Sequence, residues 1–241
     1  MVIGDLQANS NKMANVKENQ NVETLNSKEA FFLKYKKAIV YAVIALIVII
    51  AGIILYKNYV KTPRENKAST ELAKGQELFA NQMYEKALKG DSTKYVGFLK
   101  IASDYSSTKA GNIANLYAGL CYANMGKWQE AANFIEKYSG ANDMLISPAA
   151  MSALGDAYAN LNQLDKAVSS FKKAAKMADS QAEGNVNFSL SPIFLMKAAR
   201  ILESQKKNDE ALKIYQDIKA KYVNSPIYSE IDKYIERVSV K

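Results

Sequence analysis

The chain has 241 residues, enough for one sizeable domain or two small ones, and a formal net charge of +8. It contains no histidine and a single cysteine, which excludes an internal disulfide, the commonest general base and the commonest zinc ligand. In its larger C-terminal part the basic residues are scattered among acidic ones, and this pattern disfavours a nucleic-acid-binding protein.

The first predicted element is a disordered N-terminal arm at residues 1–25. This stretch is rich in Asn, Lys and Gln and poor in large apolar side chains, a composition typical of disordered segments. The sequence leaves open whether Met1 or Met13 is the first residue of the protein. A helix is expected to begin at Asn26, whose side chain can cap it while Glu29 bonds back to the cap.

That helix, a membrane-anchor helix at 26–57, carries a 19-residue stretch, Ala38–Tyr56, without a charge, an amide or a proline. At about 1.5 Å per residue the stretch is roughly 28 Å long, close to the ~30 Å hydrocarbon core of a bilayer. We therefore predict a transmembrane helix with its span at about 38–56. A cleaved secretory signal would have a shorter apolar region and a small-residue cleavage site, whereas KNYVKTPREN follows here.

Charge does not decide the orientation of the span, because three basic residues flank each side of it. They are Lys34, Lys36 and Lys37 before the span and Lys57, Lys61 and Arg64 after it. A short polar arm ahead of a first span usually stays in the cytoplasm. We therefore expect a single-pass protein of the inner (cytoplasmic) membrane, with a cytoplasmic N-terminus and a periplasmic C-terminal domain.

A linker at 58–66 is expected to precede an all-helical domain at 67–241, since no later segment alternates apolar and polar residues as a strand would. The domain should open with a partial repeat, formed by a long helix from about Asn66 to Lys89 and a second helix from about Lys94. At the other end, residues 227–238 carry one apolar stripe, which predicts a C-terminal capping helix.

Three Ser-Pro pairs predict helix starts, because a serine oxygen can accept a hydrogen bond from a free N–H there and proline needs no donor at the first position. The pairs are Ser147-Pro148, Ser191-Pro192 and Ser225-Pro226, spaced by 44 and 34 residues. The ten extra residues of the longer spacing fall at 179–190. They form either a loop after a longer helix, the interpretation that we adopt, or a contact loop for a partner.

One pattern of small and bulky residues recurs: a Gly or Ala, an Ala twelve positions later, and a bulky residue four positions after that. The three sets are Gly119, Ala131 and Ile135; Gly155, Ala167 and Phe171; and Ala199, Ala211 and Tyr215. Small side chains would let two antiparallel helices cross closely at Gly155 and Ala167. Tyr158 would fill the groove beside them, and Phe171 would contact the first helix of the next unit.

This pattern and the 34-residue spacing resemble the tetratricopeptide repeat family. The resemblance implies an all-α fold, in which an N-terminal transmembrane helix precedes a helical solenoid of about three full repeats. It also implies a wall of first helices that binds an extended peptide or a partner helix. The candidate protein-binding residues on that wall are Tyr117, Asn124, Asp156, Asn160, Lys197, Arg200 and Glu203.

No residue is a candidate for catalysis, cofactor binding or metal binding. Cys121 lies two positions after Gly119, where a buried structural role is expected, since a reactive thiol needs a neighbouring base or positive charge. The acidic residues show no pair suited to general acid and base catalysis. We therefore expect a protein that is not an enzyme and that binds other proteins without a cofactor.

The order of a polar arm, one span and a repeat domain resembles the ancillary SecYEG translocon subunit family of single-pass inner-membrane proteins. That resemblance implies a scaffold near the Sec channel that helps to pass exported polypeptides to periplasmic chaperones. Its partners would be translocon subunits, those chaperones or the exported polypeptides. Two alternatives stay open: a scaffold for envelope assembly or cell division and, less favoured, a peptidoglycan-active solenoid enzyme with a catalytic glutamate in a cleft.

Overall fold

A computed structural model describes the backbone of residues 3–91 and 94–239 and, within these ranges, the side chains from Glu29 onward. The chain divides into two compact units, one up to Val60 and one from Lys61 on. All regular elements in the described ranges are helices, which confirms the predicted fold class. We number the α-helices in chain order.

The first unit consists of helix α1, Ile3–Tyr56, and the π-helical residues that begin at Lys57. The predicted span lies in α1, and its large apolar side chains are exposed. Among the described residues this is the one helical stretch long and apolar enough to cross a membrane. Helix α1 begins at Ile3, so residues 3–25, which were expected to be disordered, have a helical backbone and the helix does not begin at Asn26. Glu, Gln, Lys and Met in this stretch have favourable helix propensities, although they offer little apolar surface to bury.

The residues expected to form a linker, 58–66, are helical. They lie in the π-helical turn Lys57–Lys61 and in the first turn of α2, Thr62–Ala80. Pro63 is compatible with this start, because the first turn of a helix does not use the N–H that proline lacks. The break in helical pattern that the sequence suggests at this point is therefore a local change of helix type.

The second unit is a stack of helical hairpins. After α2 its helices are α3 Tyr84–Lys89, α4 Phe98–Asp104, α5 Lys109–Asn124, α6 Trp128–Lys137, α7 Ile146–Asn160, α8 Leu164–Ser180, α9 Ser191–Ser204, α10 Asn208–Lys221 and α11 Ile231–Ser239. The first helices of the three full hairpins are α5, α7 and α9, and the second helices are α6, α8 and α10. Each second helix packs on its own first helix and on the next helix along the chain.

The hairpins close at the small residues that the sequence marks, but the nearest neighbour of Gly155 differs from the prediction. A Cβ built on Gly155 would lie 2.8 to 3.0 Å from three atoms of the Phe171 ring. A Cβ on Gly119 would lie 2.5 Å from the Ile135 side chain and 3.0 Å from the backbone oxygen of Ala131. Both glycines therefore make room chiefly for the bulky residue sixteen positions on, and Ala167, on the same helix as Phe171, is fully buried.

Phe171 also reaches the next hairpin, as the sequence predicts. It is 1% exposed and belongs to one apolar cluster with Leu202 of α9 and Tyr215 of α10. Tyr158 is partly buried and packs against this cluster and the preceding one. Burying a side chain of this size contributes about 1.5–3 kcal/mol to the free energy of folding, so contact between neighbouring hairpins is part of the core.

Two of the three Ser-Pro pairs lie at helix starts, but their serines are not the caps. At α7 the carboxylate of Asp143 accepts hydrogen bonds from the N–H groups of Ile146 and Ser147, at 2.5 and 3.0 Å. At α9 the side-chain oxygen of Asn187 accepts one from the N–H of Leu190 at 2.8 Å. Each acceptor lies four positions before the serine, and the serine hydroxyls themselves donate hydrogen bonds.

The third pair, Ser225-Pro226, does not start an α-helix. It lies in a turn, which is followed by the 3₁₀-helical residues Tyr228–Glu230 and then by α11. The last helix therefore starts later than the pair suggests. Ile231 and Val238 are buried against the last hairpin, so α11 covers its apolar end.

The start of the second unit differs most from the prediction. The long helix expected from Asn66 to Lys89 is broken at Gln82, which adopts a left-handed conformation with φ +60°, and α3 follows. Gly75 precedes Ala87 by the same twelve positions as in the later pairs, so α2 and α3 are themselves a hairpin. Its second helix has only six residues, and α4, rather than a helix from Lys94, completes the packing.

The ten extra residues follow a long second helix. Helix α8 has 17 residues where α6 has 10, and the loop beyond α8 contains the 3₁₀-helical residues Glu183–Asn185. Val186 and Phe188 of this loop pack on the apolar cluster of the last hairpins. The observed arrangement agrees with a longer helix followed by a loop.

Candidate protein-binding groove

An apolar cavity of about 400 Å³ lies between first helices of the second unit. We call it the apolar groove, and it is lined by Gln76, Ile113, Leu116, Tyr117, Leu120, Leu145, Ile146, Ala149 and Ala150. Leu145 and Ile146 are 63% and 53% exposed. Exposed apolar side chains beside an apolar cavity are typical of a site that binds another apolar surface.

The turn before α7 fixes the position of these two side chains. The N–H groups of Leu145 and Ile146 donate hydrogen bonds to one oxygen of Asp143, at 3.0 and 2.5 Å. Burial alone would raise the pKa of the Asp143 carboxyl, but these hydrogen bonds and those from Ser147 outweigh it, and the pKa lies below its usual value. The carboxylate is therefore charged at neutral pH and holds the turn.

Tyr117 is the one member of the predicted set that lines the apolar groove. Its ring stacks on Phe98 with centroids 5.1 Å apart and an interplanar angle of 22°. Phe79 meets the same ring edge-on at 5.3 Å. Aromatic contacts of this kind fix the ring, so Tyr117 is a rigid part of the groove wall.

Asn124 and Asn160 occupy equivalent positions at the ends of α5 and α7. Each side-chain amide donates a hydrogen bond to the carbonyl oxygen four residues earlier, that of Leu120 or Asp156, at 2.8 Å. Each of these carbonyl oxygens accepts the ordinary helical hydrogen bond and has a second lone pair that can accept from the amide. The structure thus gives both asparagines a role at a helix end and does not bring them to the groove.

Asp156 and Lys197 join the first helices of neighbouring hairpins. The lysine ammonium donates to the two carboxylate oxygens at 2.9 and 2.7 Å and lies 5.2 Å from the centre of the Phe171 ring. Both side chains are 40% to 45% exposed. An ion pair this open to water contributes about 0–1 kcal/mol, so it orients α7 and α9 more than it stabilises them.

Glu203 and Arg200 bind the last helix of the chain. Glu203 accepts hydrogen bonds from Arg237 at 2.7 and 3.0 Å and from the Tyr215 hydroxyl. Arg200 donates to the Tyr234 hydroxyl at 2.9 Å. Burial raises the pKa of Glu203, but the hydrogen bonds from Arg237 and Tyr215 outweigh it and leave the pKa below its usual value. These two residues attach α11 to α9.

The seven predicted residues therefore do not form one site. Lys197 and Arg200 share a second cavity of about 380 Å³ with Ile193 and residues of the C-terminal segment, while Tyr117 alone lines the apolar groove. The prediction missed the apolar side chains at the start of α7. The available signal was the run of three apolar residues at 144–146, which interrupts a polar loop.

Cys121 is a buried thiol on α5. Burial raises the pKa of the Cys121 thiol to about 12, so the sulfur is protonated and weakly nucleophilic at neutral pH. Among the described residues no three acidic or cysteine side chains are grouped as metal ligands.

Comparisons with known proteins agree with this geometry. Residues 148–181, and by a second profile 114–139 and 194–225, match the tetratricopeptide repeat family. No curated protein matches the sequence. The fold is similar to that of two solved structures of a putative kinesin light chain from Podosopora anserina with nearly identical TPR-like repeats, one of which carries a point substitution. Each has a TM-score of 0.52 and 13% sequence identity. The similarity covers 72% of this chain and 85% or 86% of those chains. Three segments of the second unit are therefore similar to tetratricopeptide repeats, and the fold of this unit is a TPR-like helical solenoid.

Proposed function

We propose that this chain is a membrane-anchored scaffold that binds other proteins through its apolar groove. The observation that carries the proposal is the exposure of Leu145 and Ile146 beside that cavity. Tetratricopeptide repeats support a role in binding proteins. An extended segment or a helix with apolar side chains would fit the groove, and burial of those side chains would supply the affinity.

In this proposal α1 spans the inner membrane, the N-terminus is cytoplasmic and the repeat domain is periplasmic. The scaffold acts as an accessory of the Sec translocon and helps to hand exported polypeptides to periplasmic chaperones. Its partners are translocon subunits, those chaperones and the exported polypeptides. The order of span and repeat domain supports this role, and so does a groove suited to unfolded chains, which expose apolar side chains.

Co-purification tests the partners. Tagged full-length protein is isolated from solubilised membranes and its partners are identified by mass spectrometry, beside a Leu145→Ser/Ile146→Ser double variant and a Lys213→Ser control on the second helices. The double variant should stay folded, since both side chains are more than half exposed. We expect translocon subunits and periplasmic chaperones with the wild type and the control, and their loss from the double variant.

Two outcomes would contradict the proposal at different levels. Division or outer-membrane assembly proteins without translocon components would reject the Sec role. Identical partners for the wild type and the groove variant would reject the groove as the binding site.

Protease treatment of spheroplasts tests the topology separately. A periplasmic repeat domain is open to added protease, so we expect the domain to be degraded while the membrane stays intact. Survival of the domain until the membrane is lysed would place it in the cytoplasm.

A further inference from the structure

A third cavity, of about 410 Å³, lies between α8, the loop after it, α9 and the end of α10. We call it the basic pocket, and it is lined by Lys172, Ala175, Lys176, Asp179, Ser180, Asn185, Leu195, Lys221 and Tyr222. Three of these side chains are lysines and one is acidic. The net charge that the pocket presents to a ligand depends on whether this carboxylate is free to face the ligand or is already bonded within the protein.

Asp179 is not available, because its own neighbours use both carboxylate oxygens. One oxygen accepts from the N–H of Asn187 at 2.9 Å and from the Ser191 hydroxyl at 2.6 Å. The other accepts from the Lys221 ammonium and, at 2.7 Å, from the Tyr222 hydroxyl. Asp179 is 8% exposed, so its charge is balanced by Lys221 inside the protein.

Lys172 and Lys176 differ from Lys221 in this respect. They lie one turn apart on α8, both are exposed, and neither pairs with an acidic group among the described residues. Between them the floor of the pocket is apolar, formed by Ala175 and Leu195. Two uncompensated ammonium groups therefore stand beside a small apolar surface.

The ten extra residues of this hairpin complete the pocket. Asn185 stands in its wall and adopts a left-handed conformation with φ +55°, directly after Gly184 with φ +63°. The hydrogen bond from Asn187 to Asp179 ties the loop to the end of α8. A repeat without this insertion would lack the wall, which gives the loop a use beyond connecting two helices.

We propose that the basic pocket binds an acidic segment of a partner protein. A carboxylate of the segment lies between Lys172 and Lys176, an apolar neighbour contacts Ala175 and Leu195, and the polar wall at Asn185 hydrogen-bonds its backbone. The net charge of +8 complements an acidic partner. The polar wall and the small apolar floor favour a peptide over the headgroups of an anionic membrane. This surface is separate from the apolar groove.

Peptide binding to the full-length protein in neutral nanodiscs tests the proposal. The probe is a short fluorescent peptide of alternating Glu and Leu, and its match has Gln for Glu. We expect the acidic peptide to bind and the Gln peptide not to bind. Binding of the acidic peptide should weaken as the salt concentration rises. The Lys172→Glu/Lys176→Glu variant should weaken this binding about tenfold or more. Lys213→Glu/Lys233→Glu has the same charge change at other exposed positions and should weaken it by no more than about threefold.

The remaining outcomes overturn the proposal. Equal losses for the two double variants would show attraction to overall charge without a site. Binding of phosphatidylglycerol vesicles that depends on Lys172 and Lys176, without peptide binding, would assign the surface to a membrane. The Leu145→Ser/Ile146→Ser variant should keep full affinity for the acidic peptide. The peptide measurement therefore tests the basic pocket independently of the proposed function of the apolar groove.

Discussion

At the scale of single residues, the absence of one side chain determines how the middle hairpin packs. Gly155 leaves a space that the ring of Phe171 fills, and a methyl group there would approach the ring to 2.8 Å. Phe171 is also packed on α9, so the ring cannot move away freely. Glycine in the middle of a helix costs about 0.5–1 kcal/mol relative to alanine, and close packing offsets that cost here.

We expect Gly155→Ala to lower the free energy of unfolding by about 1–3 kcal/mol, because the cost of overpacking exceeds the gain in helix propensity. Urea unfolding measures the coupling energy between positions 155 and 171. It is carried out on the wild type, on Gly155→Ala, on Phe171→Leu and on the double variant. The smaller leucine leaves room for the methyl group, so the alanine should cost less in that background. An equal cost in both backgrounds would contradict the contact.

Asp179 links stability to pH. Burial raises the pKa of its carboxyl, but hydrogen bonds from Asn187, Lys221, Ser191 and Tyr222 outweigh that effect and lower the pKa below its usual value. Between the folded and unfolded pKa values the unfolded chain binds more protons. The stability that Asp179 contributes to the folded protein is therefore fully present above the pKa of the unfolded state, about 3.9, and is lost as pH falls through the pKa of the folded state.

We expect Asp179→Asn to reduce stability at pH 7 and to flatten the decline in stability at acidic pH. Urea unfolding at a series of pH values measures both effects. Asp143 and Glu203 also have lowered pKa values, so a smaller slope should remain in the variant. A variant with the same acid slope as the wild type would show that Asp179 does not contribute.

At the scale of helices, α11 covers the exposed end of the repeat stack. Its apolar residues Ile231 and Val238 are buried, while its polar contacts are mostly open to water: Arg237, for example, is 53% exposed in its pair with Glu203. Exposed ion pairs contribute about 0–1 kcal/mol, whereas deleting most of a buried isoleucine costs about 2–5 kcal/mol. Apolar burial should therefore dominate the attachment of α11.

Two alanine variants of α11 test this ranking. We expect Ile231→Ala to lower the free energy of unfolding by about 2–5 kcal/mol and Arg237→Ala by about 1 kcal/mol or less. Thermal and urea unfolding of each single variant provide the comparison. A larger effect for Arg237→Ala would mean that the ion pair, and not the apolar stripe, holds the helix.

The sequence predicts those features that depend on neighbours at fixed spacing. A small residue, Gly or Ala, and an alanine twelve positions later identify the three full hairpins, because both residues face the crossing of two helices. The same spacing separates Gly75 from Ala87, but the periodic pattern does not indicate a hairpin there, because the short α3 and the turn at Gln82 interrupt it. The local pattern also assigns the capping hydrogen bonds to the serines, whereas the side chains that accept them lie four positions earlier.

The candidate surfaces were harder to predict, because they join residues distant in sequence. The apolar groove joins α2, α5 and α7, and the basic pocket depends on Lys221 reaching Asp179 across 42 positions. Periodicity places a residue on a face of one helix but does not say which neighbour it meets. Asp156, Arg200 and Glu203 lie on first helices, yet contacts within the chain occupy them.

At the scale of the whole molecule, the chain combines a candidate membrane span with a repeat domain that carries two different surfaces. The apolar groove lies on first helices, whereas the lysines of the basic pocket lie on the second helices α8 and α10. Two such surfaces would allow the scaffold to hold two partners, or two parts of one partner, at the same time. Linked binding of this kind raises the overall affinity without new contacts at either site.

Photo-crosslinking from position 145 of the full-length protein in intact cells tests the central claim most directly. A photoreactive residue replacing Leu145 should form adducts with partner proteins in the membrane fraction, because that side chain is exposed at the apolar groove. The same residue replacing Lys213, exposed on α10, should not form them. Adducts that are absent at 145, or identical at both positions, would contradict a protein-binding groove on the first helices.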